Sequence, residues 1–432
     1  MKTLFEHVDI LTENESGYVQ IRDGYLGVDG ATICYIGQDA PADAYDQKRN
    51  FKNKLLIPGM VNGHCHSPMT LLRGVGSDKP LQTWLFDYMV PTEDKLRPED
   101  IRVGTQLALL EMAATGTTSF SDMYFMCDET IEACIQAGMK ANIGRPVQCF
   151  DESESYADST RAQDSFRLYR EYNGAADGKI LVDFAIHAEY TCKPHIVKAY
   201  AEDCAKLGGR MHIHISETAS EHDECIGRHG KTPTQFFHDL GAMENLHLMA
   251  AHGVYLTDED IAIIAEHHGS VMHNPTSNMK LGSGFAPIDK MVKAGVNVAL
   301  GTDGAASNNN LNMFEELHLA SIIHNGFNTN AEILPANEVF AMATKNGAKM
   351  QGRENCGALI VGNRADIVAI DLDKPHLYPN FDALATLCYS VQGADVYMTM
   401  VDGEVLYENG AYLTLDYDRI LFDAKRSIDY LY

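Results

Sequence analysis

The sequence predicts an α/β protein in which a parallel (β/α)8 barrel, or TIM barrel, adjoins a small β-sandwich built from both ends of the chain. Through the middle of the chain, short apolar runs rich in β-branched residues alternate with helical patterns, and this alternation indicates parallel βα units. The two ends instead alternate polar and apolar residues around glycine-containing turns, a pattern typical of antiparallel strands. We therefore expect a composite β-sandwich domain of residues 1–57 plus 362–432 and a barrel domain of residues 58–361.

The terminal strands are indicated by their alternation and by their turn residues. At the N-terminus we predict strands at residues 3–12, 17–28 and 31–37. At the C-terminus we predict strands within residues 365–373, 394–403 and 404–415. The last of these folds back at Asn409-Gly410, since Asn-Gly between alternating strands is a strong hairpin signal. Residues 417–431 are predicted to form a final helix.

Eight apolar runs predict the strands of the barrel. They lie near residues 55–62, 117–122, 141–148, 180–187, 210–215, 246–252, 270–273 and 296–302. Among the helices between them, residues 98–116 have Pro98 in the first turn, and Thr257 with Asp260 forms a capping-box pattern. Eight βα units are the number in a (β/α)8 barrel. An open doubly wound sheet remains the alternative, because periodicity does not reveal closure.

Composition excludes several classes of partner. The 432 residues carry 34 basic and 60 acidic side chains, a formal net charge of −26. A surface this acidic repels phosphate backbones and anionic lipids, so we expect no nucleic acid and no membrane as a partner. Glu6, His7 and Asp9 interrupt the apolar run that a signal peptide needs, which predicts a cytoplasmic protein. The 10 cysteines form no C-x-x-C pair and are expected to be reduced core thiols.

Histidines collect at the predicted carboxyl ends of the barrel strands, where a barrel gathers its catalytic groups. The strand-end residues, in chain order, are His64, His66, His187, His212, His214, His252 and Asp303. A structural histidine explains any one of these positions. Imidazoles and a carboxylate at so many strand ends instead indicate a metal site.

The strand pleat selects the metal ligands. His64 and His66 share one face of their strand, and Cys65 between them points away. His214 lies nearer the rim than His212, which we interpret as a core histidine. Three imidazoles and the Asp303 carboxylate suit Zn²⁺ with a position left for water, although Fe²⁺ or Mn²⁺ also fit this donor set.

The chemistry needs a proton carrier, because water bound to zinc titrates near neutral pH. Glu217 follows His214 by three residues on the same rim and is the candidate carrier. We expect Asp303 to accept the proton of the water and His252 to stabilise the attacking hydroxide. Barrels with two bridged metals usually carry a lysine at the end of the fourth strand, where this chain has His187. We therefore predict one metal ion per chain.

Longer motifs resemble a known family. Residues 58–74, 214–218, 251–256, 273–284 and 300–316 are similar to the amidohydrolase superfamily and, more narrowly, to its 5′-methylthioadenosine/S-adenosylhomocysteine deaminases. The resemblance covers about residues 55–330, and residues 357–372 resemble a return strand of the family's β-sandwich. The usual H-T-H motif is H-C-H here, a change at the position that faces away from the metal. Guanine deaminases and triazine hydrolases share much of this framework.

This resemblance implies a role for each site residue. The implied metal ligands are His64, His66, His214 and Asp303. It implies that Glu217 protonates the adenine ring, that His252 contacts the attacking water, and that Glu217 and Asp303 both contact the substrate. The other implied substrate contacts are His187 with the purine, Glu93 with the ribose hydroxyls, Arg145 as the substrate-binding arginine and Trp84 as the aromatic cover. Arg161 lies in the region of a second substrate arginine but lacks a local match.

The predicted function is hydrolytic deamination of a 5′-substituted adenosine to the inosine product and ammonia. 5′-Methylthioadenosine, S-adenosylhomocysteine, adenosine and 5′-deoxyadenosine are the candidate substrates, and we expect a homo-oligomer. The first alternative is a related aminohydrolase acting on guanine, a triazine or another N-heterocycle. The second is a non-catalytic barrel scaffold, which would be expected to lose metal ligands that this chain retains.

Overall fold

The computed structural model describes residues 1–432, and its N-terminal strands begin a mixed sheet. These strands are β1 (Lys2–Asn14), β2 (Gly17–Asp29), β3 (Thr32–Gly37), β4 (Gln47–Asn50) and β5 (Lys54–Pro58). β2 pairs antiparallel with β1 and β3, while β4 and β5 run parallel to β1. The three strands predicted near the N-terminus are confirmed.

Eight parallel strands form a second sheet in sequence order. They are β6 (Met60–Cys65), β7 (Thr117–Met123), β8 (Lys140–Val147), β9 (Ile180–Ile186), β10 (Gly209–Ile215), β11 (Leu246–His252), β12 (Ser270–His273) and β13 (Asn297–Leu300). Each strand corresponds to one predicted apolar run. Their side chains are buried almost without exception, as expected for parallel strands covered by helices.

The first predicted run, residues 55–62, is wrong as a single strand. It contains the end of β5 and the start of β6, which belong to different sheets and are separated by Gly59. The Gly59 amide donates to the Asp366 carbonyl at 3.0 Å, and a Cβ at Gly59 would collide with the Thr118 side chain. Both strands are buried on both faces. The hydrophobic pattern therefore continues through Gly59, and the sequence alone does not reveal the break between the strands.

Side chains help to close the seam between β6 and β13, which share no ladder hydrogen bonds. The amide of Thr302 donates to Asn62 Oδ1 at 3.0 Å, and Asn62 Nδ2 donates to Thr302 Oγ1 at 2.7 Å. The Asp303 amide donates to the His64 carbonyl at 2.9 Å. The eight strands thus form a nearly closed barrel, and the alternative of an open sheet is wrong.

Helices surround the barrel and cover its carboxyl rim. They are α1 (Leu81–Thr83), α2 (Val90–Glu93), α3 (Pro98–Ala114), α4 (Cys127–Ala137), α5 (Thr160–Tyr172), α6 (Pro194–Leu207), α7 (Ala219–His229), α8 (Pro233–Asp239), α9 (Asp258–Glu266), α10 (Pro275–Lys280), α11 (Ile288–Lys293), α12 (Ala305–Asn308), α13 (Met313–Phe327), α14 (Ala336–Met342), α15 (Lys345–Met350), α16 (Ala383–Tyr389) and α17 (Tyr417–Leu431). A π-helical turn, Trp84–Met89, joins α1 to α2. The predicted starts are confirmed, because Pro98 opens α3 and the Thr257/Asp260 capping box opens α9. No helix is both long and apolar enough to cross a membrane.

α3 packs closely on the 3-10 turn Ser67–Leu72 that follows β6. Gly104 makes this approach possible, since a Cβ there would lie 2.5 Å from the Pro68 carbonyl oxygen. Thr70 Oγ1 also donates to the Gly104 carbonyl at 2.6 Å. The helix therefore fixes the turn that begins one residue after His66.

The first turn of α3 contains a buried carboxylate, Asp100. Its Oδ2 accepts hydrogen bonds from the Arg97 amide at 2.9 Å and from Arg97 Nε at 2.8 Å. Burial alone would raise the pKa of Asp100, but hydrogen bonds from Arg97 and Ser427 lower it below its ordinary value. Ser427 belongs to α17, the predicted final helix, which packs against α3.

The C-terminal strands complete the mixed sheet. They are β14 (Ile367–Asp371), β15 (Val396–Val401), β16 (Glu404–Glu408) and β17 (Ala411–Tyr412). β14 pairs antiparallel with β5, so both ends of the chain share this sheet, and β15 and β16 follow. The predicted hairpin is confirmed, with Asn409 and Gly410 at φ of 47° and 85°, as a primed two-residue turn requires.

A buried ion cluster joins the barrel to the mixed sheet. Lys140, the first residue of β8, places its Nζ 2.6 Å from carboxylate oxygens of both Asp366 and Asp402. All three side chains are less than 5% exposed. Burial alone would lower the pKa of Lys140, but the nearby carboxylates, Asp366 foremost, raise it above its ordinary value. The cluster is therefore a buried ionic contact between the barrel and the mixed sheet.

Candidate active site

The carboxyl ends of the barrel strands open onto a cavity of about 650 Å³. Half of its 28 lining residues are hydrophobic, which suits a flat organic ring rather than a highly charged ligand. The predicted site residues that line it are His66, Trp84, Glu93, Arg145, His187, His214, Glu217, His252 and Asp303. The structure thus brings together, from separate strands and loops, the residues that the sequence singled out.

The four predicted ligands meet at the floor of this cavity. Side-chain nitrogens of His64, His66 and His214 lie within 4.8 Å of one another, and His64 also forms such a group with His252 and Asp303. Asp303 Oδ1 is 3.4 Å from His64 Nε2 and 3.2 Å from His66 Nε2. His64 Nε2 is fully buried and has no hydrogen-bond partner. A nitrogen left unsatisfied beside two imidazoles and a carboxylate fits a divalent cation at this position.

Each imidazole of the cluster is oriented by a contact on its other nitrogen. His64 Nδ1 lies 2.8 Å from His212 Nε2, His66 Nδ1 lies 2.5 Å from the Met123 carbonyl, and His214 Nδ1 lies 2.7 Å from the His187 carbonyl. Such partners fix the ring and its tautomer, so that Nε2 faces the metal position. His212 is buried below the cluster, as interpreted from the sequence, but its contact with His64 was not predicted.

Asp303 is held by hydroxyl groups that sequence reasoning missed. Ser277 Oγ and Ser307 Oγ donate to its Oδ2 at 2.7 and 2.8 Å, which leaves Oδ1 toward the histidines. Burial alone would raise the pKa of Asp303, but the adjacent imidazoles of His64 and His66 lower it well below its ordinary value. The carboxylate is therefore ionised, the form that binds a cation.

Burial keeps most of the imidazoles neutral, the form in which histidine binds metal. It lowers the pKa of His64 to about 4 and that of His187 to about 3, and it lowers the pKa of His214 well below the ordinary value. His66 differs. Burial acts in the same direction there, but the adjacent Asp303 carboxylate raises the pKa of His66 to about 9, so a cation that binds this ring must displace a proton from it.

Cys65 lies between two ligands without joining them. It is fully buried and packs with Ala108 and Leu109 of α3, on the helix side of β6. The prediction that the pleat directs this thiol away from the metal position is confirmed.

Glu217 and His252 are neighbours in the lining of the cavity. His252 Nε2 lies 3.8 Å from Glu217 Oε2. His252 Nδ1 is 2.8 Å from Asn278 Oδ1, and since an amide oxygen only accepts hydrogen bonds, Nδ1 carries the proton and Nε2 is free to accept one. Burial raises the pKa of Glu217 above its ordinary value. The pair thus combines a carboxyl group that holds its proton more tightly with a hydrogen-bond acceptor.

Glu93 and Trp84 both line the cavity. Glu93 ends α2, and its Oε1 accepts a hydrogen bond from Tyr124 Oη at 2.5 Å. Burial raises the pKa of Glu93. Trp84 begins the π-helical turn and is only 6% exposed, and its indole Nε1 has no partner. Tyr124, which follows β7, also lines the cavity and was not predicted.

Two arginines also line the cavity. Arg145 on β8 is half-buried, with its Nε 3.7 Å from Asp164 Oδ2. Arg161, to which the sequence assigned no role, lines the same cavity and donates to the Gln148 carbonyl at 3.0 Å. Asp164 lines the cavity as well. These side chains can therefore bind polar or anionic groups of a ligand, whereas half of the residues that line the cavity are hydrophobic.

Comparisons with known proteins agree with this geometry. Residues 55–406 match the model of the amidohydrolase family. A 5-methylthioadenosine/S-adenosylhomocysteine deaminase of Caldanaerobacter subterraneus subsp. tengcongensis is 42% identical over 99% of this chain and 98% of its own length. A 5′-deoxyadenosine deaminase of Methanosarcina acetivorans is 40% identical over 95% of this chain and 94% of its own.

A solved structure supports the same assignment. An adenosine deaminase from Xanthomonas campestris with bound zinc superimposes with a TM-score of 0.94 at 31% identity, covering 99% of this chain and 98% of that one. The similarity extends over the barrel and the mixed sheet alike, since almost the whole of each chain is covered. The chain belongs to the amidohydrolase family.

Proposed function

We propose that this enzyme hydrolytically deaminates a 5′-substituted adenosine to the corresponding inosine and ammonia. The observation that carries the proposal is the convergence of a buried Glu217 carboxyl and a histidine-aspartate metal cluster on one half-apolar cavity. The names of the relatives agree, since they include deaminases of 5-methylthioadenosine, S-adenosylhomocysteine and 5′-deoxyadenosine. These nucleosides and adenosine are the substrates that we propose.

The metal site proposed here holds one Zn²⁺ ion on His64, His66, His214 and Asp303. Fe²⁺ and Mn²⁺ also bind imidazole and carboxylate donors, so both should be tested as alternatives to Zn²⁺. A bound divalent cation of this kind lowers the pKa of a coordinated water toward neutrality and so supplies the nucleophile. β9 is followed by His187 rather than by a lysine, which supports one ion rather than two.

The side chains around this position carry the protons. Glu217, whose pKa is raised by burial, donates a proton to N1 of the adenine ring and so makes C6 more electrophilic. Asp303 accepts one proton of the attacking water and transfers it to the departing amine, and the proton left on the C6 hydroxyl returns to Glu217 as the carbonyl of the inosine forms. His252 accepts a hydrogen bond from the water through Nε2 and directs it toward C6. Together these transfers are general acid-base catalysis.

The cavity walls hold the nucleoside. We propose that His187 contacts the purine, that Glu93 accepts hydrogen bonds from the ribose hydroxyls, and that Trp84 covers the ligand. Arg145, which also lines the cavity, contacts the substrate. The contact between Tyr124 and Glu93 fixes the carboxylate that would bind ribose. This feature favours a nucleoside over a free base or a triazine.

The domain division that we propose places residues 1–57 and 362–432 in the β-sandwich and residues 58–361 in the barrel. It is supported by the break at Gly59 between β5 and β6. Helix α17 belongs to the terminal segment in sequence, although it packs against α3 of the barrel.

Glu217→Gln tests the catalytic assignment. The amide keeps the size of the side chain but cannot deliver a proton to the ring, so kcat should fall by roughly 10²- to 10⁴-fold, with metal content unchanged. Asp223→Asn makes the same change at an exposed residue of α7 and should leave kcat unchanged. If the variant retained more than about a tenth of native kcat, the loss would be smaller than general acid catalysis supplies. That result would contradict the role of Glu217.

Ammonia release from a substrate panel tests the substrate class. The panel contains the four proposed adenosines, guanine and a triazine, and kcat/KM should be highest for one of the adenosines. A higher value for guanine or the triazine would establish the alternative aminohydrolase instead. Metal analysis should give about one ion per chain, as the four-ligand site requires. Two ions per chain, or full activity after thorough chelation, would contradict the single-metal mechanism.

A further inference from the structure

The bend after β10 places Glu217 in the cavity. Ser216 has a φ of 52°, in the left-handed region that residues other than glycine seldom adopt. Beyond Glu217, Thr218 caps the start of α7. The Ser216 carbonyl accepts a hydrogen bond from the Tyr255 amide at 2.9 Å, so one side of the bend is anchored to the segment after β11.

A buried carboxylate anchors the other side of the bend. Glu221 Oε1 accepts a hydrogen bond from the Ser216 amide at 2.9 Å, and its Oε2 accepts one from the Glu217 amide at 2.7 Å. Consecutive amides that converge on one anion form an anion-binding nest. Glu221 is only 3% exposed. Burial raises its pKa, and the hydrogen bonds from the two amides oppose that rise, so both carboxyl oxygens are committed to the amides rather than to solvent.

Helix capping does not account for this arrangement. Glu221 is the third residue of α7, and its amide donates to Thr218 Oγ1 at 3.1 Å. In an ordinary capping box, the carboxylate at this position accepts from the amide of the capping residue itself. Here it reaches past Thr218 to the two amides before it. The contact therefore fixes the backbone that carries Glu217, in addition to starting the helix.

The position of the Glu217 carboxyl group is set by its backbone, because no contact of the side chain itself fixes it. The carboxyl group forms no hydrogen bond to another protein group. The nearest basic nitrogen is His252 Nε2, which lies 3.8 Å from Glu217 Oε2. A carboxyl that must reach one ring nitrogen needs a fixed starting point, because small displacements of a catalytic group reduce rates strongly. The nest formed with Glu221 supplies such a point.

We propose that Glu221 is a positioning residue: its carboxylate holds the amides of Ser216 and Glu217 and so directs the Glu217 carboxyl at the substrate ring. This inference rests on the proton-donor role proposed above for Glu217. Glu221 does not line the cavity and acts only through its neighbour.

A double-mutant cycle tests the proposal. Glu221→Gln preserves the shape but sets an amide N–H₂ against one of the two backbone N–H groups, so kcat should fall by roughly 10- to 100-fold, as expected for a catalytic group misplaced by up to about 1 Å. KM and metal content should be unchanged. When Glu217 is already Gln, adding Glu221→Gln should cause no further loss, because the group that it positions no longer acts. Asp223→Asn on the same helix is the matched control and should leave kcat unchanged.

The cycle separates the two proposals. If Glu217→Gln is strongly impaired and Glu221→Gln lowers kcat by the same factor in both backgrounds, the positioning role is wrong while the role of Glu217 stands. Native kcat in Glu221→Gln would also overturn the positioning role. Native kcat in Glu217→Gln would overturn both. Should Glu221→Gln fail to fold, Glu221→Asp, which keeps the charge but shortens the reach, must show the same kcat loss and the same dependence on Glu217.

Discussion

Replacement of His212 by methionine removes the hydrogen-bond partner of a metal ligand without touching the cavity. His212 Nε2 lies 2.8 Å from His64 Nδ1, and His212 is 1% exposed. Burial, its largest influence, lowers the pKa of His212 well below the ordinary value, so the ring is neutral and its Nε2 accepts the Nδ1–H of His64. Methionine fills similar space but offers no comparable acceptor.

The loss can be estimated from this one contact. Leaving a buried donor without its partner costs about 1–3 kcal/mol, and a factor of ten in an equilibrium constant corresponds to about 1.36 kcal/mol at room temperature. The His64 ring loses both its orientation and part of its basicity. Metal affinity should therefore fall by roughly 10- to 100-fold, which is the range found when partners of metal ligands are removed.

Zn²⁺ titration of metal-free protein against a chelating indicator measures this affinity directly. His212→Gln is the matched control, because its amide oxygen restores an acceptor and should recover much of the affinity lost in the methionine variant. At saturating Zn²⁺, both variants should approach native kcat, since neither change alters a group that contacts substrate. Thermal unfolding of the metal-free proteins separates a loss of affinity from a loss of fold.

Two results would refute this reasoning. Native Zn²⁺ affinity in His212→Met would show that the contact with His64 does not support the ligand. Equal weakening in the methionine and glutamine variants would show that the volume of the histidine, rather than its acceptor nitrogen, is what matters.

Gly104→Ala should lower the midpoint of thermal unfolding. Alanine gains up to about 1 kcal/mol in helix propensity, but its Cβ is overpacked against the Pro68 carbonyl at a cost of about 1–3 kcal/mol. A raised midpoint would contradict this. Lys140→Met leaves the buried Asp366 without its cationic partner, while Asp402 keeps its ion pair with Arg364 at 2.6 Å. The free energy of unfolding in urea should therefore fall by about 3–5 kcal/mol, whereas an unchanged value would mean that the ion cluster contributes nothing. Asp100, whose pKa Arg97 helps to hold below its ordinary value, should contribute stability above about pH 4, the unfolded pKa, and lose it as the pH falls through the folded pKa. The difference in thermal midpoint between Asp100→Asn and the native protein should thus shrink between pH 7 and pH 3, and a constant difference would refute the assignment.

The strands and the residues at their ends could be predicted because both leave local marks in the sequence. Each barrel strand is buried on both faces, so it gives an apolar run, and a polar residue such as His252 or Asp303 interrupts the pattern near its end. Closure then places those polar residues at one rim. Local pattern and the fold together suffice for this part of the site.

The supporting residues could not be predicted, because no local pattern marks them. Ser277 and Asn278 lie on the short helix α10, and Glu221 has the sequence position of an ordinary capping residue. Their contacts exist only when distant segments meet in the closed barrel. The break at Gly59 was missed for a related reason, since burial on both sides of it leaves the hydrophobic pattern continuous.

The pairing of β5 with β14 has a consequence for how the protein is made. About 300 residues separate these two strands in the chain, and a ribosome adding roughly 5–20 residues per second needs on the order of 15–60 s to synthesise them. During that interval the first strands have emerged without the partner that completes their sheet, with a hydrogen-bonding edge and an apolar face exposed. Such edges are templates for wrong pairing. The nascent N-terminus is therefore the segment for which chaperone binding during translation would matter most.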